Sequence, residues 1–453
     1  MERLNKGENV AMKKAALSIL LAATVLGACA SESSKEVKTE QKKGGESAPD
    51  GKVEVDFWHS MNGELEKALV KLTEQFNESQ DDVHVKLMYQ GEYEDALTKL
   101  NTAAGTAEAP ALMQTYEIGT KYMIDSGHFQ PIQDLIDKEE YDTSNWEEAI
   151  TKYYSLDGVQ YSMPFNSSTP VLIYNKDAFK EAGLDPEKAP ETYSELKEAA
   201  AALADKEYGG FSIVNYGWFI EQMIAVQGGL FINEDNGRAG AATEAVFNGD
   251  EGLRVFQLMS EMIQDETMVN VGDDWDSMRA VFQAGKTAMI LDSSAGVRGL
   301  TDQATFDVGV AYLPVPDDVE RQGVIIGGAS LWMSEGLEED VQTGAWEFMK
   351  YVSSPEAQAQ WHVDTGYFAI DPRAYDEEIV KEEWEKYPGL KVTVDQLSET
   401  KPSPATQGAI MPVFPETREH VVRAMQSLYQ GTDPQEALDQ AAEATNQALQ
   451  RGQ

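Results

Sequence analysis

Five histidines, one cysteine and a large excess of carboxylates are the residues from which any chemistry in this 453-residue chain must be built. None of His59, His84, His128, His362 and His420 stands at a spacing that would place two imidazoles on one metal ion. The sequence holds no GxSxG elbow, no phosphate-binding P-loop and no GxGxxG turn. Asn233-Glu234-Asp235-Asn236-Gly237 has the composition of a calcium loop, but Ile232 occupies the first ligand position, so it reads as a solvated turn. Carboxylate groups such as Asp137 with Glu139 and Glu140 would suit glycoside hydrolysis. With 78 acidic residues, however, such groups arise by chance. A secreted hydrolase is therefore an alternative with no nucleophile or metal set behind it. No catalytic residue, metal or cofactor is assigned.

The one cysteine, Cys29, can form neither an internal disulfide nor a zinc site. Its surroundings give it another chemistry. Lys13 and Lys14 precede the apolar run Ala15 to Val25, which is too short to cross a bilayer and has the length of an export-signal core. Leu26-Gly27-Ala28-Cys29 then looks like a bacterial lipobox, with Cys29 as the lipidated residue. Residues 1–28 are read as a lipoprotein signal peptide, for which either Met1 or Met12 fits as the start. Residues 29–51 are read as the lipidated cysteine and a flexible tether, since Val37 is their only large apolar side chain. The expected location is the extracytoplasmic face of the cell membrane.

Lys and Arg number 36 against 78 Asp and Glu, a formal charge of −42. Nucleic acid is excluded as a partner, because phosphate backbones are bound by clustered cations. Cleavage before Cys29 would remove four basic and two acidic residues, taking the charge to −44. A body so acidic is repelled by anionic headgroups, so the membrane link is expected to be covalent. The 42% of hydrophobic residues is ample for packed cores, and the length suits two large lobes or about three domains.

Strands and helices alternate in the body. Val53 to Trp58 has strand alternation, Asn62 to Glu78 has apolar residues at helical spacing, Val83 to Tyr89 is a second strand, Tyr93 to Ala104 a second helix and Ala111 to Tyr116 a third strand. This is the pattern of a mostly parallel sheet covered by helices. It puts Trp58-His59-Ser60, Gln90 to Tyr93 and Glu117-Ile118-Gly119 on one rim, beyond the carboxyl ends of the strands where ligands sit. Trp58 and His59 read as packing on that rim. Val171 to Tyr174, Thr287 to Leu291 and Gly323 to Trp332 are further strands, Leu253 to Gln283 is helical, and the chain from Asp340 onward is largely helical.

Phe165 to Phe179, FNSSTPVLIYNKDAF, strongly resembles the crossover segment of the extracytoplasmic solute-binding proteins of ABC importers. Phe57 to Leu65, Tyr116 to Thr120, Ile325 to Trp332, Trp361-His362 and Thr365-Gly366-Tyr367 resemble, within that family, the members that bind sn-glycerol-3-phosphate. The likeness runs from about Val53 to the C-terminal helix and breaks between roughly Gly209 and Val246.

It implies an α/β, two-lobed periplasmic-binding-protein-like fold of type II, with a three-segment hinge and the ligand between the lobes. Crossings are expected near Phe165 to Ser168, Leu291 to Ser294 and Gly327-Gly328. One lobe would comprise 52–165 with 293–327, the other 167–291 with 329–450. By matching motifs the implied ligand contacts are Tyr93, Glu117, Ser168, Ser293, Gly328, Tyr367 and Arg418. Arg418 would fork a phosphate with tyrosine and serine hydroxyls completing the shell, and Glu117 would accept from glycerol hydroxyls. Where the family carries a tryptophan over the glycerol, this chain has Asn215, with Trp218 or Tyr216 nearby, so a specificity loop is expected here. The room left suits a glycerophosphodiester such as glycerophosphocholine. An oligosaccharide-binding protein of the same architecture is the first alternative. Expected partners are ABC permease subunits and a small phosphorylated solute, with the chain a monomer and not an enzyme.

Overall fold

Alternating apolar residues in Val53–His59 bury Val55 and Phe57 on one face, and the helix Gly63–Ser79 covers them with Leu69, Leu72 and Phe76. In the computed structural model, which describes residues 51–204 and 209–452, the same unit recurs in Val83–Tyr89 and its helix Tyr93–Ala103. The expected signal, Cys29 and the tether to residue 50 lie outside the described residues. Val53–His59 pairs in parallel with both Val83–Tyr89 and Leu112–Tyr116, with Phe57 opposite Leu87 and Leu112. The sheet then continues antiparallel through Gly327–Ser334, which also pairs with Phe129–Gln130 and Met163–Ser168. A second sheet runs in the order Met268–Asn270, Phe211–Ile213, Met289–Ser293, Pro170–Asn175, Val308–Ala311. Its first three strands are parallel and the last two antiparallel neighbours. Each sheet anchors one lobe of a two-lobed α/β fold.

Three segments connect the lobes. Met163–Ser168 ends in the first sheet and Pro170–Asn175 begins in the second, so the chain crosses at Thr169, as the crossover motif implied. It returns between Val308–Ala311 and Gly327–Ser334. It leaves again after Pro355–Thr365, which packs on Gly63–Ser79, to reach Pro388–Ser398, which packs on Val308–Ala311.

Two expectations are corrected here. No crossing occurs at Leu291 to Ser294: Met289–Ser293 lies inside the second sheet, and the next helix, Val297–Gln303, stays with it. Ser294 instead braces the first crossing, its N–H donating to the Thr169 carbonyl (2.8 Å) and its Oγ accepting from the Thr169 N–H (3.3 Å). The division of 293–327 and 329–450 between lobes also fails at the strand level. Val308–Ala311 pairs with Pro170–Asn175 in the second sheet, and Gly327–Ser334 joins the first. The long helical region Leu253 to Gln283 proves to be two helices, Asp250–Gln264 and Trp275–Gln283, around the edge strand Met268–Asn270. The turn Asn233–Gly237 is not fully solvated: Asn236 is buried, and its Oδ1 accepts from the N–H groups of Phe231 and Ile232.

Candidate ligand-binding site

Three parallel strands ending together deliver Ser60, Tyr93 and Glu117 to one rim, as the strand pattern predicts. A relay of buried side chains fixes that rim. The Ser60 N–H donates to Gln114 Oε1 (2.9 Å), Gln114 Nε2 to Asn166 Oδ1 (2.8 Å), and Asn166 Nδ2 to the Tyr93 hydroxyl (3.1 Å). Tyr93 also stacks on Tyr116 with centroids 5.1 Å apart. The rim faces a cleft of about 1190 Å³ lined from both lobes. Tyr93, Glu117, Ser168, Ser293, Gly328 and Tyr367 all line it, as does Trp218. Asn215 does not. It is buried behind the wall, its N–H donating to the Gly272 carbonyl (2.8 Å), and Tyr216 and Trp218 are the residues of that loop that reach the cleft.

Backbone geometry sets two of these positions. Gly328 has φ +91°, and a Cβ there would lie 1.8 Å from the Asn166 carbonyl oxygen, so only glycine fits where the two strands meet beside the cleft. Tyr367 follows a helix C-terminus and is held by His362, whose Nδ1 bonds the Tyr367 carbonyl oxygen (2.7 Å) while its Nε2 accepts from Trp384 Nε1–H (3.0 Å). Those partners place the proton on Nδ1. Burial pushes the His362 pKa down to about 4.

Arg418 departs from its expected role. Its Nε donates to Glu221 Oε1 (2.8 Å), and its Nη2 to Glu221 Oε2 (2.9 Å) and Glu117 Oε1 (2.8 Å). Its Nη1 reaches the Tyr216 hydroxyl (3.2 Å). The fork assigned to phosphate is therefore engaged by two carboxylates, below the cleft floor that Glu117 and Tyr216 form. Burial pushes both carboxyls up from their ordinary range, against the pull of the guanidinium. Sequence reasoning missed Glu221, although a lone acid in the wholly buried helix Gly217–Ala225 signals a buried ion pair. It also missed Arg279, which lines the cleft in a two-point pair with buried Asp292 (2.9 Å each) and lies over Trp275. Three further donors in the lining, Ser60 Oγ, the Tyr116 hydroxyl and Trp218 Nε1, are buried without a hydrogen-bond partner among the described residues. Those three atoms are closed off from solvent in this arrangement, and the polar groups open to a small solute are others of the lining, such as Tyr93 and Ser293.

Comparison with known proteins agrees with this architecture. A family profile described as bacterial extracellular solute-binding protein matches residues 71–392. The chain belongs to that family. The solute-binding protein is 36% identical over 408 residues to the sn-glycerol-3-phosphate-binding periplasmic protein UgpB of Escherichia coli K12, covering 88% of this chain and 92% of that one. It is 37% identical over 410 residues, with the same coverage, to UgpB of Shigella dysenteriae serotype 1. Among solved structures it superposes with a TM-score of 0.76 on UgpB from Mycobacterium tuberculosis in complex with glycerophosphocholine, at 22% identity, covering 88% of this chain and 99% of that one. The cyclic alpha-maltosyl-1,6-maltose binding protein from Arthrobacter globiformis gives 0.74 at 24% identity, over 88% and 100%. These last two likenesses establish the two-lobed type II fold.

Proposed function

We propose that this chain is the lipid-anchored substrate-binding protein of an ABC importer, capturing sn-glycerol-3-phosphate or a glycerophosphodiester such as glycerophosphocholine. Cys29 would carry the lipid, and the permease would receive the solute unchanged, since the protein binds and performs no chemistry. The observation that carries the reading is convergence. Six of the seven residues picked out by motif line one cleft, and the seventh, Arg418, hydrogen-bonds the cleft residue Glu117. Ser168, Ser293 and the hydroxyls of Tyr93 and Tyr367 are neutral donors of the kind an oxyanion accepts from. Glu117 has only Oε1 on Arg418, so Oε2 can accept from glycerol hydroxyls. Curated relatives that bind sn-glycerol-3-phosphate support the same class. Lobe closure would follow from tighter ligand binding in the closed arrangement.

An oligosaccharide is the second reading, favoured by the two tryptophans in the lining, Trp218 and Trp275. Calorimetric titration of the protein with glycerophosphocholine, glycerol-3-phosphate and maltose separates them. Binding of a phosphate ester, recovered unaltered, with no heat from maltose, is the expected outcome. Maltose binding without ester binding removes the phosphate reading.

A further inference from the structure

Glu221 is assigned no role by motif, and it does not line the cleft, yet it decides what charge the cleft floor presents. It sits on the helix Gly217–Ala225, buried, with both oxygens on one edge of Arg418 at 2.8 and 2.9 Å. Glu117 enters from the opposite lobe at 2.8 Å. One guanidinium thus serves two carboxylates, and with both ionised the floor carries a net single negative charge before any ligand arrives. Also facing the pair are the phenols of Tyr93, Tyr116, Tyr153, Tyr154, Tyr216 and Tyr367, held neutral by burial, and Glu94, whose charge adds to the repulsion.

The rest of the cleft does not compensate. Eight carboxylates line it against four cations. Each of those cations has a carboxylate within 3.2 Å: Lys67 with Glu64, Lys71 with Asp364, Arg279 with Asp292 and Arg298 with Glu383. A phosphate in the cleft meets neutral donors and bound cations. One negative charge can be held by such donors, but a second adds to the repulsion from carboxylates that outnumber the cations of the lining.

We propose that Glu221 sets the charge specificity of the cleft, so that phosphodiesters, with one negative charge on phosphorus, are taken ahead of monoesters, which carry up to two. This deepens the phosphate-ester reading and rests on it. The test is the ratio of affinities for glycerol-3-phosphate and glycerophosphocholine, by calorimetry, in the wild type and in Glu221→Gln. The glutamine keeps one acceptor for Arg418 and removes the charge. The ratio is expected to move at least about tenfold toward the monoester in the variant, a step of about 1.4 kcal/mol. A folded variant with an unchanged ratio overturns the assignment.

A second measurement needs no variant. Below its second pKa of about 6 a monoester loses its extra charge, while a diester does not titrate. In the wild type the ratio should therefore rise about tenfold or more toward the monoester between pH 8 and pH 5.5, and a flat ratio overturns the proposal even if Glu221→Gln fails to fold. Maltose binding with neither ester bound is a different failure: it removes the phosphate reading itself. Ester binding with the ratio unmoved removes Glu221 alone.

Discussion

His362 makes the ordering of a cleft residue pH-dependent. It is fully buried, its Nδ1–H on the Tyr367 carbonyl and its Nε2 taken by the Trp384 N–H, so a second proton has no acceptor. Folded, it takes that proton only near pH 4; in the unfolded chain it does so near 6.5. Between those values the unfolded state binds more protons, so this residue's contribution to stability is intact above about pH 6.5 and is lost as pH falls through 4. The full loss is about 3 kcal/mol. Glu117 and Glu221, pushed up by burial, act with the opposite sign, so the histidine is isolated by comparing wild type with His362→Asn, which keeps a donor near Nδ1. Urea unfolding should show the wild type's advantage shrinking by about 3 kcal/mol from pH 7 to pH 4. A constant gap would mean His362 does not titrate in this way.

Among elements, the turn Asn233–Gly237 and its neighbour Arg238 show how a connection can be fixed without a sheet. Glu234, Asp235 and Asn236 all have positive φ, from 51° to 62°, a conformation unfavourable for non-glycine residues. Asn236 sustains it by accepting two backbone N–H groups and donating to the Pro404 carbonyl (2.9 Å). Arg238 then donates to the carbonyls of Tyr153 and Ser155 on one side and of Gly408 on the other, each at 3.0 Å. Burial lowers its pKa to about 10. Arg238→Met should cost about 1–3 kcal/mol, because carbonyls of two segments lose their donor. Glu244→Ala, exposed nearby with ordinary backbone dihedrals, should stay within about 0.5 kcal/mol. Equal effects in thermal unfolding would refute the bridging role. The composition of that turn gave no sign of this, since its partners lie far along the chain. The same limit explains what was legible elsewhere. Val53 to Tyr116 could be read in order and in register with the cleft rim, because strand and helix periods there follow local burial. Val308–Ala311 and Gly327–Ser334 are both short apolar runs, and nothing local says which sheet each will join. Arg418 was picked out by motif, but its partner Glu221 is 197 positions away, so the closed ion-pair triad was not legible.

At the scale of the whole molecule, a formal charge of −42 works against capture of an anion, and it does so from a distance. Short-range donors in the cleft would determine how tightly the proposed ester is held, whereas the long-range field would act on how often one arrives. The two are separable by salt. At about 0.01 M ionic strength the screening length is about 30 Å and the field of the whole surface reaches an approaching ligand; at about 0.15 M it falls to about 8 Å, and only the cleft's own groups remain. Glycerol-3-phosphate carries net negative charge, while glycerophosphocholine is a zwitterion with no net charge to repel. Trp218 and Trp275 in the lining provide a fluorescence signal for stopped-flow association. The association rate constant for glycerol-3-phosphate should rise about three- to tenfold across that range of salt, and the constant for glycerophosphocholine should change less than about twofold. An association rate for the monoester that falls with salt would show an attractive local field, and hence a cation free to act at the cleft mouth. Every cation of the lining has a carboxylate partner, though the Lys67–Glu64 pair is an exposed one, so the sign of the salt effect tests the charge arrangement of the entire cleft.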